Sequence, residues 1–327
     1  MTVVVTGAAG FIGFHVAQAL LARGQRVIGV DNLNDYYDPA LKAARLAVLE
    51  QIEGFSFEKA DVSDREAFPA LLEARPEVEQ VVHLAAQAGV RYSLINPYSY
   101  VEANVMGQLV VLEACRRLPN FKHLVYASSS SVYGGNEKQP FSIEDRVDKP
   151  ISLYAATKRA GELIAECHTR LYEVPSTGLR FFTVYGPWGR PDMAAYIFTK
   201  AIFEGSPIEI FNQGRMRRDF TFIDDITAGV LAAIDLPPAK NGVRPPHRIY
   251  NLGNHRTEEL MRFIEVLEQA CGREAVKHFA EMQPGDVEAT YADIDASIRD
   301  LGFKPATTID EGLPRFVEWY RDYHKVS

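Results

Sequence analysis

Short apolar runs recur along the chain, each bounded by turn residues and followed by a longer stretch in which apolar side chains return every third or fourth place. Val3–Thr6, Arg26–Val30, Phe55–Lys59, Val81–Leu84 and His123–Ala127 read as strands, because β-branched and aromatic residues crowd into them. Phe14–Arg23, Pro39–Gln51, Asp64–Ala74, Asn104–Arg117 and Tyr154–Leu171 carry the helical spacing. Strand and helix alternate, which predicts an α/β, doubly wound parallel sheet covered on both faces. Past Gly178–Tyr185 the pattern loosens into loops rich in Pro, Gly and Arg, with short strands at Ile208–Phe211 and Arg248–Leu252. We therefore expect a nucleotide-binding region over residues 1–180 that also holds the chemistry. A smaller substrate-binding region is expected over residues 181–327, with the chain free to cross between the two.

Composition narrows the partners. A chain of 327 residues can bury one large domain and a smaller one. A net charge of −8 offers no broad basic field for nucleic acid or an anionic membrane, so an anionic ligand must be met by a few local arginines. Cys115, Cys167 and Cys271 are too scattered for a zinc site or a disulfide framework and are expected as reduced core thiols. The start of the chain runs into Val3-Val4-Val5 with no basic leader, and no apolar run reaches membrane-spanning length. The expectation is a soluble cytoplasmic protein with no bound metal.

Thr6-Gly7-Ala8-Ala9-Gly10-Phe11-Ile12-Gly13 places glycines at three-residue spacing between the first strand and the first helix. There the backbone at Phe11, Ile12 and Gly13 can approach a diphosphate, and the helix N–H groups can bind it. The next strand ends at Asp31, where a carboxylate can accept from the adenosine ribose hydroxyls and repel a 2′-phosphate. Asn32, not an arginine, follows, so NAD is expected over NADP. Asp61 and Val62 follow the third strand; Asp61 either meets the adenine edge or caps the next helix. Leu84, Ala85 and Ala86 end a strand on the ligand side, and Asn104 is also placed with the cofactor.

Tyr154 and Lys158 stand four apart on a predicted helix and so share a face. A phenol with a reference pKa of about 10 can act as a base near neutral pH only beside positive charge, which Lys158 and an oxidised nicotinamide would supply. Ser128-Ser129-Ser130-Ser131-Val-Tyr-Gly134 follows the fifth strand and puts hydroxyls where ligands bind such sheets. One of them is expected to relay the proton or polarise the reacting hydroxyl.

TGAAGFIG, Asp31, SSSSVYG and YAATK in this order resemble the extended short-chain dehydrogenase/reductase superfamily, nucleotide-sugar epimerase branch. Within it, Asn34-Asp-Tyr-Tyr-Asp38, Arg91-Tyr-Ser93 and RFFTVYGPWGRPDMA (180–194) are similar to the UDP-glucuronate 4-epimerases, over essentially the whole chain. The resemblance implies Tyr154 as base, Lys158 on the nicotinamide ribose and Ser129 on the reacting sugar hydroxyl. It implies Thr183 on the sugar nucleotide, Arg218 on the diphosphate and Asp286 on the uridine ribose. It further implies a homodimer formed through Asn104–Arg117 and Tyr154–Leu171. Gln283 stands where galactose-type epimerases commonly have arginine, which leaves Arg215 or Arg217 either to take up that contact or to lie solvated.

An acid sugar needs a guanidinium for its carboxylate. Arg190, in a loop stiffened by Pro187 and Pro191, is the first candidate and Arg91 the second, with Ser130 and Ser131 in support. The expected reaction oxidises C4′ of UDP-glucuronate to a 4-keto acid, turns that intermediate over and reduces its other face, with NAD tightly bound and regenerated. Related decarboxylases and 4,6-dehydratases carry acidic residues where this chain has Ser130-Ser131, and a silent NAD-binding sensor would not need Tyr154, Lys158 and Ser129 together.

Overall fold

The computed structural model describes residues 1–240, 242, 244–283 and 285–327. Seven parallel strands form the main sheet, in the spatial order His247–Leu252, Ser176–Phe181, His123–Ser129, Val78–His83, Thr2–Thr6, Arg26–Asp31, Phe55–Lys59. Successive residues of the central strands feed opposite faces. Val3, Val5, Val82 and Val125 enter one core, and Val4, Val81 and Leu124 the other. Burial on both faces explains why these strands read as continuous apolar runs.

Chain order reverses between Thr2–Thr6 and Val78–His83, and the crevice that opens there is the ligand position of such sheets. The glycine-rich turn leaves the first of these strands and Leu84–Ala86 leaves the second. They meet so closely that a Cβ on Gly7 would lie 2.7 Å from the Ala85 nitrogen. Thr6 and His83 face each other in register, their side chains 2.8 Å apart, and burial brings the His83 pKa down to about 3.

The second region returns to the first. His247–Leu252 pairs with Ser176–Phe181 at the sheet edge, and helix Ile223–Asp235 packs against helix Phe11–Ala22. Small two-stranded pairs build the C-terminal region, among them Thr183–Tyr185 with Phe220–Phe222 and Pro207–Ile210 with Val276–Phe279.

One helix departs from expectation. The stretch predicted over 104–117 begins at Pro97, with Asn96 accepting from the Ser99 N–H, runs as Pro97–Tyr100, passes through a π-helical turn Val101–Met106 and continues as Gly107–Cys115. The start signal was present, an asparagine cap followed by proline. The π turn, which commonly marks a functional position, places Asn104 against its partners.

Cys115 and Cys271 are buried, as expected; Cys167 is exposed, because it sits on the outer face of helix Leu153–Tyr172. Among the described residues no helix is long and apolar enough to cross a membrane.

Candidate active site

A cavity of about 980 Å³ runs along the carboxyl ends of the strands and into the C-terminal region. At one end lie Gly7, Gly10, Phe11, Ile12 and Gly13. Gly10 begins the helix with no side chain capping it, so the N–H groups of the first turn are open to a ligand. A Cβ on Gly13 would run into the Gly7 carbonyl oxygen, which keeps the turn tight. Asp31 closes this end. Its carboxylate accepts from Leu33 N at 2.9 Å and Ala9 N at 3.2 Å, and Lys42 stands 3.9 Å away. Burial holds the Asp31 carboxyl above its usual range, with Lys42 and the two N–H groups opposing. Lone pairs remain for two ribose hydroxyls.

Asn32 donates to Asp61 at 2.9 Å, and Asp61 also accepts from Ser63 N and Oγ. Asp61 thus forms a turn of its own on the cavity wall and caps no helix; Asp64 accepts from the first N–H groups of the following helix. Val62, Leu84, Ala85 and Ala86 line the cavity. Asn104 does not. It accepts from Gln87 N at 2.8 Å and donates to Gln87 O and Thr157 Oγ1, so it braces the cofactor wall from behind. These groups suit a dinucleotide: open helix N–H donors, a cradle that a Cβ would fill, and a carboxylate at the ribose.

Midway, helix Leu153–Tyr172 presents Tyr154 and Lys158 on one face. Ser152 caps it by accepting from Ala155 N at 3.1 Å. Lys158 Nζ donates to Ala127 O at 3.1 Å, and burial brings its pKa down to about 8, partly offset by Glu162. Burial raises the Tyr154 phenol, while Ser129 and Arg190 pull it down and Asp192 pushes it up. Arg190 is a further cation acting on the phenol, one that sequence reasoning assigned to the substrate carboxylate. Ser129 donates to Ser131 Oγ at 3.1 Å, and Ser129, Ser130 and Ser131 all line the cavity. Ser128 also lines the cavity, but its hydroxyl is engaged, donating at 2.6 Å to Glu162, which is itself paired with Arg180.

Thr183 and Arg190 also line the cavity, and at the far end stand Arg218 and Asp286. Arg218 donates to the carbonyls of Arg217 and Glu288, and burial pulls its pKa down. Arg215 and Arg217 are exposed and outside the lining, and the half-buried Gln283 is outside it too, so Arg218 alone of this basic run faces the cavity. Pro284, inside the Gln283–Asp286 string, lies outside the described residues. Arg91 pairs with Asp286 at 3.2 Å and lies over the Phe211 ring at 4.5 Å. Its guanidinium is thus engaged with Asp286 and Phe211 on the cavity wall.

Sequence reasoning missed several contributors. Phe211 offers an aromatic face. Tyr36 and Asp192 form a network with Arg190, and Tyr100 sets its ring edge-on to Tyr154 at 6.0 Å. Arg45, fully buried, donates to Ala9 O at 2.8 Å and Trp188 O at 2.6 Å, tying the glycine turn to the Arg190 loop. Only the pairing of aromatic and acidic residues in Asn34–Asp38 hinted at any of this.

A doubly wound sheet with an acid-terminated second strand, a glycine-rich turn and a Tyr–Lys pair beside a serine defines a nicotinamide-dependent enzyme of the α/β class. The chain belongs to the NAD dependent epimerase/dehydratase family, whose model matches residues 3–253. It is 48% identical to a probable UDP-glucuronate 4-epimerase of Rhizobium meliloti, over 98% of this chain and 97% of that one. It is 49% identical to UDP-glucuronate 4-epimerase 4 of Arabidopsis thaliana, over 99% of this chain and 76% of that protein. The UDP-glucuronic acid 4-epimerase of Bacillus cereus, solved with UDP-glucuronic acid and NAD, superposes with a TM-score of 0.90 at 34% identity, covering 99% of this chain and all of that one.

Proposed function

We infer that this chain is an NAD-dependent UDP-glucuronate 4-epimerase, interconverting UDP-glucuronate and UDP-galacturonate through a 4-keto intermediate. The observation that carries the reading is the Arg190 guanidinium lining the same cavity as Tyr154 and Ser129, with its Nη1 unpaired among the described residues. A cation there suits a sugar whose carboxylate lies one carbon from the reacting C4′.

Gly7, Gly10, Phe11, Ile12 and Gly13 would hold the cofactor diphosphate, Asp31 the adenosine ribose and Lys158 the nicotinamide ribose. NAD bound there would supply the acceptor and donor of hydride for C4′. Tyr154 takes the 4′-hydroxyl proton and later gives it back, with Ser129 holding the oxygen in line. Arg218 retains the diphosphate and Asp286, with Arg91 and Phe211, the uridine, so the ketone can turn about its diphosphate link without leaving. Thr183, Ser130, Ser131 and Arg190 hold the carboxylate out of alignment with the new carbonyl, which withholds the geometry for loss of carbon dioxide. Ser130 and Ser131 offer no acid for elimination, which disfavours a dehydratase, and a silent sensor would have no use for Tyr154, Ser129 and Lys158 lining one cavity.

Arg190→Ala tests the reading with UDP-glucuronate as substrate. Slower epimerisation with a rising share of UDP-pentose is expected; unchanged turnover with no pentose would remove the carboxylate role.

We propose that the chain works as a homodimer. Tyr98, Val101 and Leu109 on the helical stretch 97–115, and Leu163 and Leu171 on the neighbouring helix, are exposed apolar residues in support. Sedimentation at micromolar concentration would find twice the chain mass. Three unpaired cysteines suit the reducing cytoplasm as its location.

A further inference from the structure

Arg190 is already engaged. Its Nε donates to Asp192 Oδ1 at 2.9 Å and its Nη2 to Asp192 Oδ2 at 2.6 Å, a side-on pairing that occupies two of the three guanidinium nitrogens. Nη2 also touches Met193 Sδ at 3.8 Å. Nη1 has no hydrogen-bond partner among the described residues. Asp192 is held in turn by the Tyr36 hydroxyl, which donates to Oδ2 at 3.0 Å from the loop after the second strand.

That hydroxyl has little freedom. The Tyr36 ring packs on Tyr92 at 4.8 Å, and a Cβ on Gly89 would lie 2.5 Å from the Tyr36 oxygen. The backbone leading into Arg190 is fixed separately. Trp188 is held at φ +62°, a conformation costly for a bulky side chain, while Arg45 grips its carbonyl and His15 lies 2.9 Å from that of Pro187.

We propose that Asp192, backed by Tyr36, is a positioning and specificity residue that locks Arg190 side-on and leaves Nη1 as the one guanidinium nitrogen for a substrate carboxylate. The inference rests on the uronic-acid reading of the site. A carboxylate then meets a pair of nearly zero net charge through a single directional bond, and can let go when the ring turns over. An unpaired Arg190 would fork onto the carboxylate with two parallel bonds. It would hold the ground state more tightly, and binding of that kind does not speed the chemical step.

The test uses NAD-loaded wild type, Asp192→Asn and Tyr36→Phe, with calorimetric affinities for UDP-glucuronate and for neutral UDP-glucose, and turnover of UDP-glucuronate. In Asp192→Asn the preference for the acid sugar over the neutral one should rise by about tenfold, since a like charge near the carboxylate is gone. KM for UDP-glucuronate should fall together with kcat, the split expected of over-tight ground-state binding. Tyr36→Phe should shift the same preference in the same direction by less. An unchanged or lowered preference, or equal weakening of both sugars, overturns the proposal. Should Asp192→Asn not accumulate as folded protein, Tyr36→Phe decides on the same ratio. A wild type that neither turns over UDP-glucuronate nor prefers it overturns the functional reading, and this proposal with it. A competent wild type with unmoved variants overturns only the role of Asp192.

Discussion

Around the glycine-rich turn, the groups offered to a ligand are main-chain N–H donors of the helix starting at Phe11, fixed by a sheet buried on both faces. Around Arg190 they are side chains fixed by other side chains, with Asp192, Tyr36 and Arg45 contributed by different segments. The first construction is local in sequence and admits no added atom. The second joins residues as much as 156 positions apart and can change one side chain at a time. A fold divided in this way can hold one cofactor rigidly while the sugar end is altered to suit different substrates.

Tyr154 stands on the seam between the two constructions, and its removal should have the largest effect. Tyr154→Phe should lower kcat by roughly 10²–10⁴-fold with NAD content unchanged, read by turnover and by cofactor released on denaturation. Retained turnover would place the base elsewhere.

Lys158 tests how the cofactor side accommodates a buried charge. Its folded-state pKa of about 8 lies below the ordinary 10.5, so the folded protein sheds this proton before the unfolded chain does. The destabilisation is complete below pH 8 and is relieved as pH rises from there to the ordinary value. The stability of Lys158→Met relative to wild type should therefore fall by up to about 3 kcal/mol across that window, measured by urea unfolding. A flat difference would contradict the buried, charged lysine.

The backbone end breaks at a single methyl group. Gly13→Ala should cost about 1–3 kcal/mol of stability and lose NAD on gel filtration, because the Gly7 carbonyl cannot yield without opening the turn. Arg91→Ala should show the tolerance of the other construction. Its exposed pair with Asp286 contributes under about 1 kcal/mol, so KM should rise less than about fivefold with kcat steady. A large fall in kcat would move Arg91 to the carboxylate.

The same division explains what could be read from the sequence. Gly7–Gly13, Asp31, Tyr154 and Lys158 were legible because backbone geometry sets their spacing: a strand end, a tight turn, one helical face. Asn104 was placed with the cofactor on its position alone, whereas the π turn directs its amide to Gln87 and Thr157. Arg190 was legible as a cation near an acid sugar, but its partner two residues on was not, since a nearby aspartate signals nothing until Tyr36 closes on it. The edge strand His247–Leu252 was seen as a strand, yet its place beside Ser176–Phe181 depends on a crossover that no local pattern records.

The central claim is that one cavity oxidises and re-reduces C4′ of a uronic acid sugar with its own NAD. Proton NMR of the purified protein with UDP-glucuronate and no added cofactor tests it most directly, by following the anomeric signals and any pentose. The account predicts UDP-galacturonate accumulating to equilibrium with no net NADH and no UDP-pentose. Accumulating UDP-pentose, or no reaction even after NAD is added, would contradict it.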